Sequence, residues 1–296
     1  MFNQYFGNYL LEKKIITGEQ LKDVLEAQKA IRVKLGVLAI DFGYMSAEQV
    51  NSVISMQTIK DSRFGELAIE EGYLTEEKLE ELLHSQKKSN VLLGQGLIDK
   101  GYFTFEKYED VLIKYKEDSR FTSEEIAILK NNDIDKIVSM FFKVEDNLNK
   151  ETYYEYLELF IRNLIRFVDG EIMIEKSEMI SSYNYEYIAM QQIQGPLHIF
   201  TGFAGDEKTM SKFASIYAEE ECAEMNDMAK DSLGEFINCQ NGLFLSNLSN
   251  VGMELELCPQ EIREKGKIVS VEKMYKIPCH LSFGKIDIII STQVIF

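Results

Sequence analysis

The sequence predicts two domains of different class: an α-helical tandem-repeat domain, then an α/β domain of the α+β kind, with a largely antiparallel sheet and long helices. Three observations predict this. Glycines recur at a fixed spacing through residues 1–118; the spacing stops beyond residue 118; and the remainder places strand-like stretches at both ends of two long helical ones. Sequential strands on either side of helices favour antiparallel pairing. A chain of 296 residues has room for two domains, at about 150 residues each.

In the first part, Gly7, Gly36, Gly65 and Gly94 stand 29 residues apart. Gly43, Gly72 and Gly101 repeat at the same interval, with Lys14 breaking the series in the first copy. Thr17, Ser46, Thr75 and Thr104 form a third series, and Gln28, Gln57 and Gln86 a fourth that ends at Tyr115. Series in register define a tandem array. Each copy reads as two short helices. The stretch from Gly65 closes at Gly72, a glycine suited to a left-handed C-cap. Thr75 then caps a helix from Glu76 to about Lys87, with Leu79, Leu82 and Leu83 on one face. Thr17 with Gln20 and Ser46 with Gln49 have the spacing of a capping box. So small a unit cannot bury its apolar face alone, and the copies are expected to pack on one another.

Residues 119–148 read as a connecting helical stretch, with Thr122 or Ser123 as a cap and Asn131-Asn132-Asp133 as a break. The second domain, residues 149–296, opens with an amphipathic helix from Thr152 to Asp169, carrying Tyr156, Leu159, Phe160, Asn163, Leu164 and Phe167 and ended by Gly170. Strand-like runs follow at 171–175, 186–193 and 196–203, then helices at 206–219 and 222–247, then strand-like runs at 252–257, 267–276, 278–283 and 285–292. The last run, from Lys285 to Phe296, alternates poorly and stays apolar. Read as an uncovered edge strand, it invites pairing with a second copy.

Composition excludes several classes of function. With 32 Lys and Arg against 49 Asp and Glu, the formal net charge is −17. Nucleic acid polymers and anionic lipid reward basic surfaces, so neither is an expected partner. No apolar run approaches the ~18 residues of a membrane span, so no membrane insertion is expected. The start, MFNQYFGNYLLEKK, lacks a basic stretch followed by an apolar one, and the expected location is cytoplasmic. Cys222, Cys239, Cys258 and Cys279 form no Cys-x-x-Cys pair. His84, His198 and His280 are scattered, so no metal site is predicted. Nucleophile-elbow, P-loop and zinc-protease motifs are absent as well.

The helix read from Cys222 to Asn247 carries the chemistry. Leu233, Phe236, Ile237, Phe244 and Leu248 define its buried face. Asp231, Glu235, Asn238 and Gly242 fall in one row on another face, so a carboxylate and a carboxamide point the same way with a glycine one turn on. A glycine in mid-helix costs about 1 kcal/mol relative to alanine, which asks for a packing or docking reason.

Two resemblances follow. Arg63-Phe-Gly65 through Gln86, and Lys34-Leu35-Gly36 through Gln57, resemble the tandem motif of the MshE N-terminal family of secretion and pilus-extension ATPases, and the likeness spans 1–118. That resemblance implies cyclic di-GMP as a candidate ligand, with Lys34, Leu35, Gly36, Gln57, Arg63, Gly65 and Gln86 as its binding residues. The opening arginine of the motif is present as Arg63 only, since the equivalent positions hold Tyr5, Lys34 and Leu92. Asp231-Ser-Leu-Gly-Glu235-Phe-Ile-Asn238-Cys-Gln-Asn-Gly242 resembles the Glu-x-x-Asn helix of the CheX/CheC/FliY chemotaxis phosphatases, of CheX type. The second resemblance implies an enzyme that hydrolyses the aspartyl phosphate of a CheY-like response regulator. In it Glu235 and Asn238 are catalytic, Asp231 and Gly242 serve docking, and no cofactor sits on this chain, Mg²⁺ being held by the phosphorylated regulator. Relatives of CheX type are dimers, which adds to the expected homodimer. The repeat domain is then a sensor or localiser. Two other readings are a non-catalytic signalling adaptor and a cyclic di-GMP receptor whose second domain is an output interface.

Overall fold

The computed structural model describes residues 2–27, 33–57, 59–60, 62–86, 92–119, 121–145, 150–292 and 294–295. Gln28, Lys87, residues 146–148 of the connecting stretch and Phe296 lie outside the described residues. The chain divides into two units, Met1–Asp133 and Ile134–Phe296.

The first unit is helical: α1 (Phe2–Glu12), α2 (Gly18–Ala27), α3 (Leu35–Asp41), α4 (Ala47–Gln57), α5 (Phe64–Glu70), α6 (Glu76–Gln86), α7 (Leu92–Asp99), α8 (Phe105–Asp118) and α9 (Ser123–Asn131). The helices α2, α4, α6 and α8 begin 29 residues apart. Before each sits a hydroxyl cap. Thr17 and Gln20, and Ser46 and Gln49, exchange backbone-to-side-chain bonds of 2.8–3.2 Å. Thr75 and Thr104 accept from the backbone N–H groups of Lys78 and Lys107. The turns between paired helices share one geometry, since Gly43, Gly72 and Gly101 have φ of +70°, +74° and +73° and Lys14 has φ +55°. In each turn the following residue donates to a carbonyl five residues back, as Tyr73 does to Ala68, the closure of a Schellman motif. Lys14 therefore breaks the glycine series in sequence but not in backbone.

The other glycine series answers to packing. A Cβ at Gly36 would lie 2.8 Å from Val50 Cγ1, and one at Gly65 2.7 Å from both methyl carbons of Leu79. These are contacts between the two helices of one pair, which approach too closely for any side chain at the glycine. Helices α3 and α4 pack on α5 and α6, and α1 and α2 pack on α7. Tyr115, where the glutamine series ends, is buried among Phe2, Phe6 and Tyr9 at ring-centroid distances of 5.9, 5.3 and 5.1 Å. Helix α9 is tied to α3 by a 2.7 Å ion pair between Lys130 and the fully buried Asp41 carboxylate.

The second unit comprises α10 (Ile134–Phe141), α11 (Lys150–Phe167), β1 (Met173–Ile174), β2 (Glu178–Gln194), β3 (Ile199–Gly205), α12 (Glu207–Ala218), α13 (Asp227–Asn250), β4 (Glu256–Leu257), β5 (Glu261–Leu281), β6 (Gly284–Ser291) and β7 (Val294–Ile295). Every described strand pairing is antiparallel. Pairing runs in a circuit: β2 with β3, β3 with β6, β6 with β5, and β5 back with β2. Strand faces alternate. Phe203 faces the helices, stacking with Phe213 of α12 at 4.9 Å and meeting Phe236 of α13 edge-to-face at 5.5 Å. Ile188, Met190 and Phe200 point the other way, into a cluster with Ile268, Met274 and Ile289 that Ile180, Tyr183 and Tyr185 cover.

Among the strands, β2, β5 and β6 depart most from expectation, while β1 and β4 are shorter than the runs at 171–175 and 252–257. β2 starts at Glu178 rather than near 186, because its first half, EMISSYNY, is mostly polar and buries Ile180, Tyr183 and Tyr185 only in part. β5 fuses two expected runs through Pro278. The Pro278 carbonyl accepts from Glu175 N–H at 2.9 Å on the β1 side. A residue's N–H and C=O share one strand edge, so the missing donor falls where the short β1 has ended, outside the β6 ladder. β6 is not an edge. It lies between β5 and β3, and Ile286, Ile288, Ile289 and Ile290 are fully buried. Burial of both faces explains the poor alternation and removes the edge-strand ground for a homodimer.

Candidate functional site

Helix α13 begins five residues later than its sequence pattern suggested, because Asn226 caps it: the Asn226 side chain accepts from Ala229 N–H at 2.9 Å. Leu233, Phe236, Ile237, Phe244 and Leu248 are all buried, packed against α11, α12 and β2. The helix thus presents Asp231, Glu235 and Asn238 as an exposed row, with Gly242 half-buried at its end. The two glycines of the motif differ in kind. A Cβ at Gly234 would sit 3.2 Å from Gln260 Cγ, whereas one at Gly242 would meet nothing within 4 Å. Packing within the chain accounts for Gly234 and leaves Gly242 as open surface. Beyond Gly242, the helix residues Leu245 and Ser246, with Gln194, His198 and Leu255, line a shallow groove of about 730 Å³.

Under Asn238 lies a buried polar network that the sequence reading missed. Gln191 on β2 is 2% exposed, and Thr201 on β3 and Asn241 on α13 are fully buried. Gln191 Nε2 donates to the Cys258 carbonyl at 2.7 Å and to Asn238 Oδ1 at 2.9 Å. Gln191 Oε1 accepts from Asn241 Nδ2 at 2.9 Å. Asn241 Nδ2 also donates to Thr201 Oγ1 at 2.9 Å, and the Thr201 hydroxyl donates to the Gln191 carbonyl at 3.0 Å. One signal was available: Gln240 and Asn241 interrupt the apolar stripe of α13, and a buried polar side chain requires a partner.

Among the described residues the Glu235 carboxylate has neither a hydrogen bond nor an ion pair, so it is free to receive a cation from outside. Its neighbour Tyr217 lies edge-on to Phe236 at 5.3 Å. Burial raises the Tyr217 hydroxyl pKa, with further contributions from Cys239 and Glu235, so the phenol stays protonated. Cys239 is exposed and free, Cys258 half-buried, and Cys222 and Cys279 buried. Burial pushes the Cys279 thiol up, which makes it inert rather than nucleophilic.

In the helical unit, the candidate nucleotide-binding residues are largely occupied by the fold. The Lys34 ammonium pairs with Asp99 at 2.9 Å, and its backbone N–H donates to Gln95. Gln57 donates to the Ser62 carbonyl and Gln86 to that of Val33. Gly36 and Gly65 are helix contacts, and Leu35 is half-buried. Arg63 is exposed, and its backbone N–H donates to Glu66 at 3.1 Å. Among the described residues no helix is long and apolar enough to cross a membrane.

No curated protein matches the chain. Among solved structures, a CheC-like superfamily protein from Shewanella sp. PV-4 is similar at 16% identity and a TM-score of 0.43, over 49% of this chain and 97% of that one. A chemotaxis protein CheX from Desulfovibrio desulfuricans is similar at 13% identity and a TM-score of 0.43, over 48% and 99%. A CheX–CheY–BeF3–Mg²⁺ complex from Borrelia burgdorferi is similar at 17% identity and a TM-score of 0.41, over 47% and 96%. Residues 187–280, which enclose the whole of α13, match the model of the family described as Chemotaxis phosphatase CheX.

Proposed function

We propose that the second unit is a phosphatase for the aspartyl phosphate of a CheY-like response regulator. The observation that carries this reading is the pair Glu235 and Asn238, exposed on one row of α13 inside the CheX-matching region, with Asn238 braced from below. Glu235 pairs with the regulator's active-site lysine and sets the docking register, and Asp231 and Gly242 extend the contact along the helix. Asn238 enters beside the phosphoryl group and holds a water in line. The water oxygen bonds to phosphorus as the bond from phosphorus to the aspartyl oxygen breaks. The electron pair leaves with the carboxylate, and a water proton goes to the released phosphate. Mg²⁺ belongs to the regulator, so this chain supplies position rather than charge, the main lever in phosphoryl transfer. The helical unit acts as its sensor or localiser.

The deciding measurement follows acyl phosphate on phosphorylated regulators of the same cell, with and without the protein. The expected result is faster loss with the wild-type chain and a fall of about 100-fold with Asn238→Ala, the scale of a lost positioning contact. Unchanged decay of every regulator with wild-type protein, alongside measurable binding, makes the chain an adaptor instead.

A further inference from the structure

We propose that Gln191 is a positioning residue: it fixes which atom of the Asn238 amide faces outward. The ordering can be followed from a group with no freedom. The Cys258 carbonyl can only accept, so the Gln191 atom 2.7 Å from it is the amide nitrogen. The same nitrogen faces Asn238 at 2.9 Å, so Asn238 presents its oxygen inward. Gln191 cannot flip, because its own oxygen is held by Asn241 Nδ2, and Asn241 is held in turn by Thr201. The bonds among Gln191, Asn241 and Thr201 are buried. Although Asn241 Oδ1 has no partner among the described residues, its Nδ2 makes two bonds that a flipped amide would lose, so the order set at the Cys258 carbonyl is kept. The result is an Asn238 whose Nδ2 faces the docking side with no hydrogen-bond partner among the described residues. A water that accepts from this N–H keeps its other lone pair for phosphorus. The consequence for rate rests on the phosphatase reading; the ordering of Asn238 does not.

The test has a spectroscopic arm and a kinetic arm. In the full-length protein, ¹⁵N relaxation of side-chain amides compares Asn238 with Asn247, an exposed asparagine on the same helix. Asn238 is expected to be as rigid as the helix backbone and Asn247 mobile. Gln191→Met, which fills the space without donors, is expected to free the Asn238 amide while the backbone spectrum of α13 and regulator affinity stay as in wild type. In the kinetic arm, Gln191→Met lowers the dephosphorylation rate about 10-fold at unchanged KM, and has no further effect when added to Asn238→Ala. An Asn238 amide as mobile as Asn247 in the wild type overturns the proposal, and that arm needs no variant to fold. So does a folded Gln191→Met protein with the wild-type rate. Ordering of Asn238 that Gln191→Met releases, in a protein with no phosphatase activity, sinks the phosphatase reading and leaves the positioning role standing.

Discussion

At the scale of single residues, the site divides into what the helix exposes and what the sheet holds beneath it. The exposed part was legible: Glu235 and Asn238 share a row because of helical spacing, and the buried stripe on the opposite face fixes which way that row points. The supporting part was not, because Gln191 sits in an ordinary strand run and meets Asn238 only after the sheet and α13 pack. That support changes what Asn238→Ala should do. The substitution withdraws the acceptor from a buried N–H, so stability falls by about 1 kcal/mol, the worth of one hydrogen bond. Regulator binding, assigned to Glu235 in the proposed function, is expected to persist. Asn238→Asp separates the amide's two ends: a carboxylate oxygen still accepts from Gln191, but the outward donor is gone. Its rate is expected to fall as far as that of the alanine variant, read in the same acyl phosphate assay; near-wild-type activity would mean that the inward oxygen alone does the work.

At the scale of elements, glycines report which contacts are internal and which are left for a partner. Gly242 meets nothing of its own chain, so Gly242→Ala should stabilise α13 by about 0.5–1 kcal/mol through helix propensity. Gly242→Leu should instead weaken regulator binding at least several-fold without lowering the melting temperature; equal affinity for both variants would remove Gly242 from the docking face. Gly65 is the opposite case. Gly65→Ala places a methyl 2.7 Å from Leu79, and overpacking of this kind costs about 1–3 kcal/mol, which a melting curve resolves. Arg63→Ala touches no such contact and should leave the melting temperature alone. If cyclic di-GMP binds here, it stabilises the wild type and not Arg63→Ala; calorimetry with no heat and no thermal shift in the wild type leaves a docking scaffold. Elements also show where local pattern fails. The 29-residue spacing places α2, α4, α6 and α8 correctly because each start is fixed by its own cap. β6 was misplaced as an edge because, although β5 precedes it directly as a hairpin partner, its other neighbour, β3, lies far earlier in the sequence.

At the scale of the whole chain, two units with separate cores make a prediction about where the protein can be divided. Helix α10 lies within the stretch that reads as a connector in sequence, yet it is built into the second unit. Ile137 and Val138 are fully buried, as is Phe142 just beyond the helix, and Phe141 is 5% exposed. The Phe142 ring stands perpendicular to Tyr275 of β5 at 5.6 Å, and the Phe142 carbonyl accepts from the Tyr154 hydroxyl at 2.7 Å. The Ser177 backbone N–H donates to the Phe141 carbonyl at 2.8 Å. Burying one such side chain is worth about 1.5–3 kcal/mol, so losing all four removes an amount comparable to the net stability of a domain, about 5–15 kcal/mol. A fragment of residues 134–296 is therefore expected to fold cooperatively and to keep the dephosphorylation rate of the full chain, because Gln191, Glu235, Asn238 and their supports all lie within it. A fragment of residues 149–296, cut where the sequence pattern of the second domain begins, should expose the surface that α10 covers, melt at lower temperature or aggregate, and lose activity with its fold. Equal melting temperatures for the two fragments would make α10 an ornament of the second unit. A 134–296 fragment that folds but has lost the activity of the full chain would instead place part of the site, or a required contact with the regulator, in the helical unit.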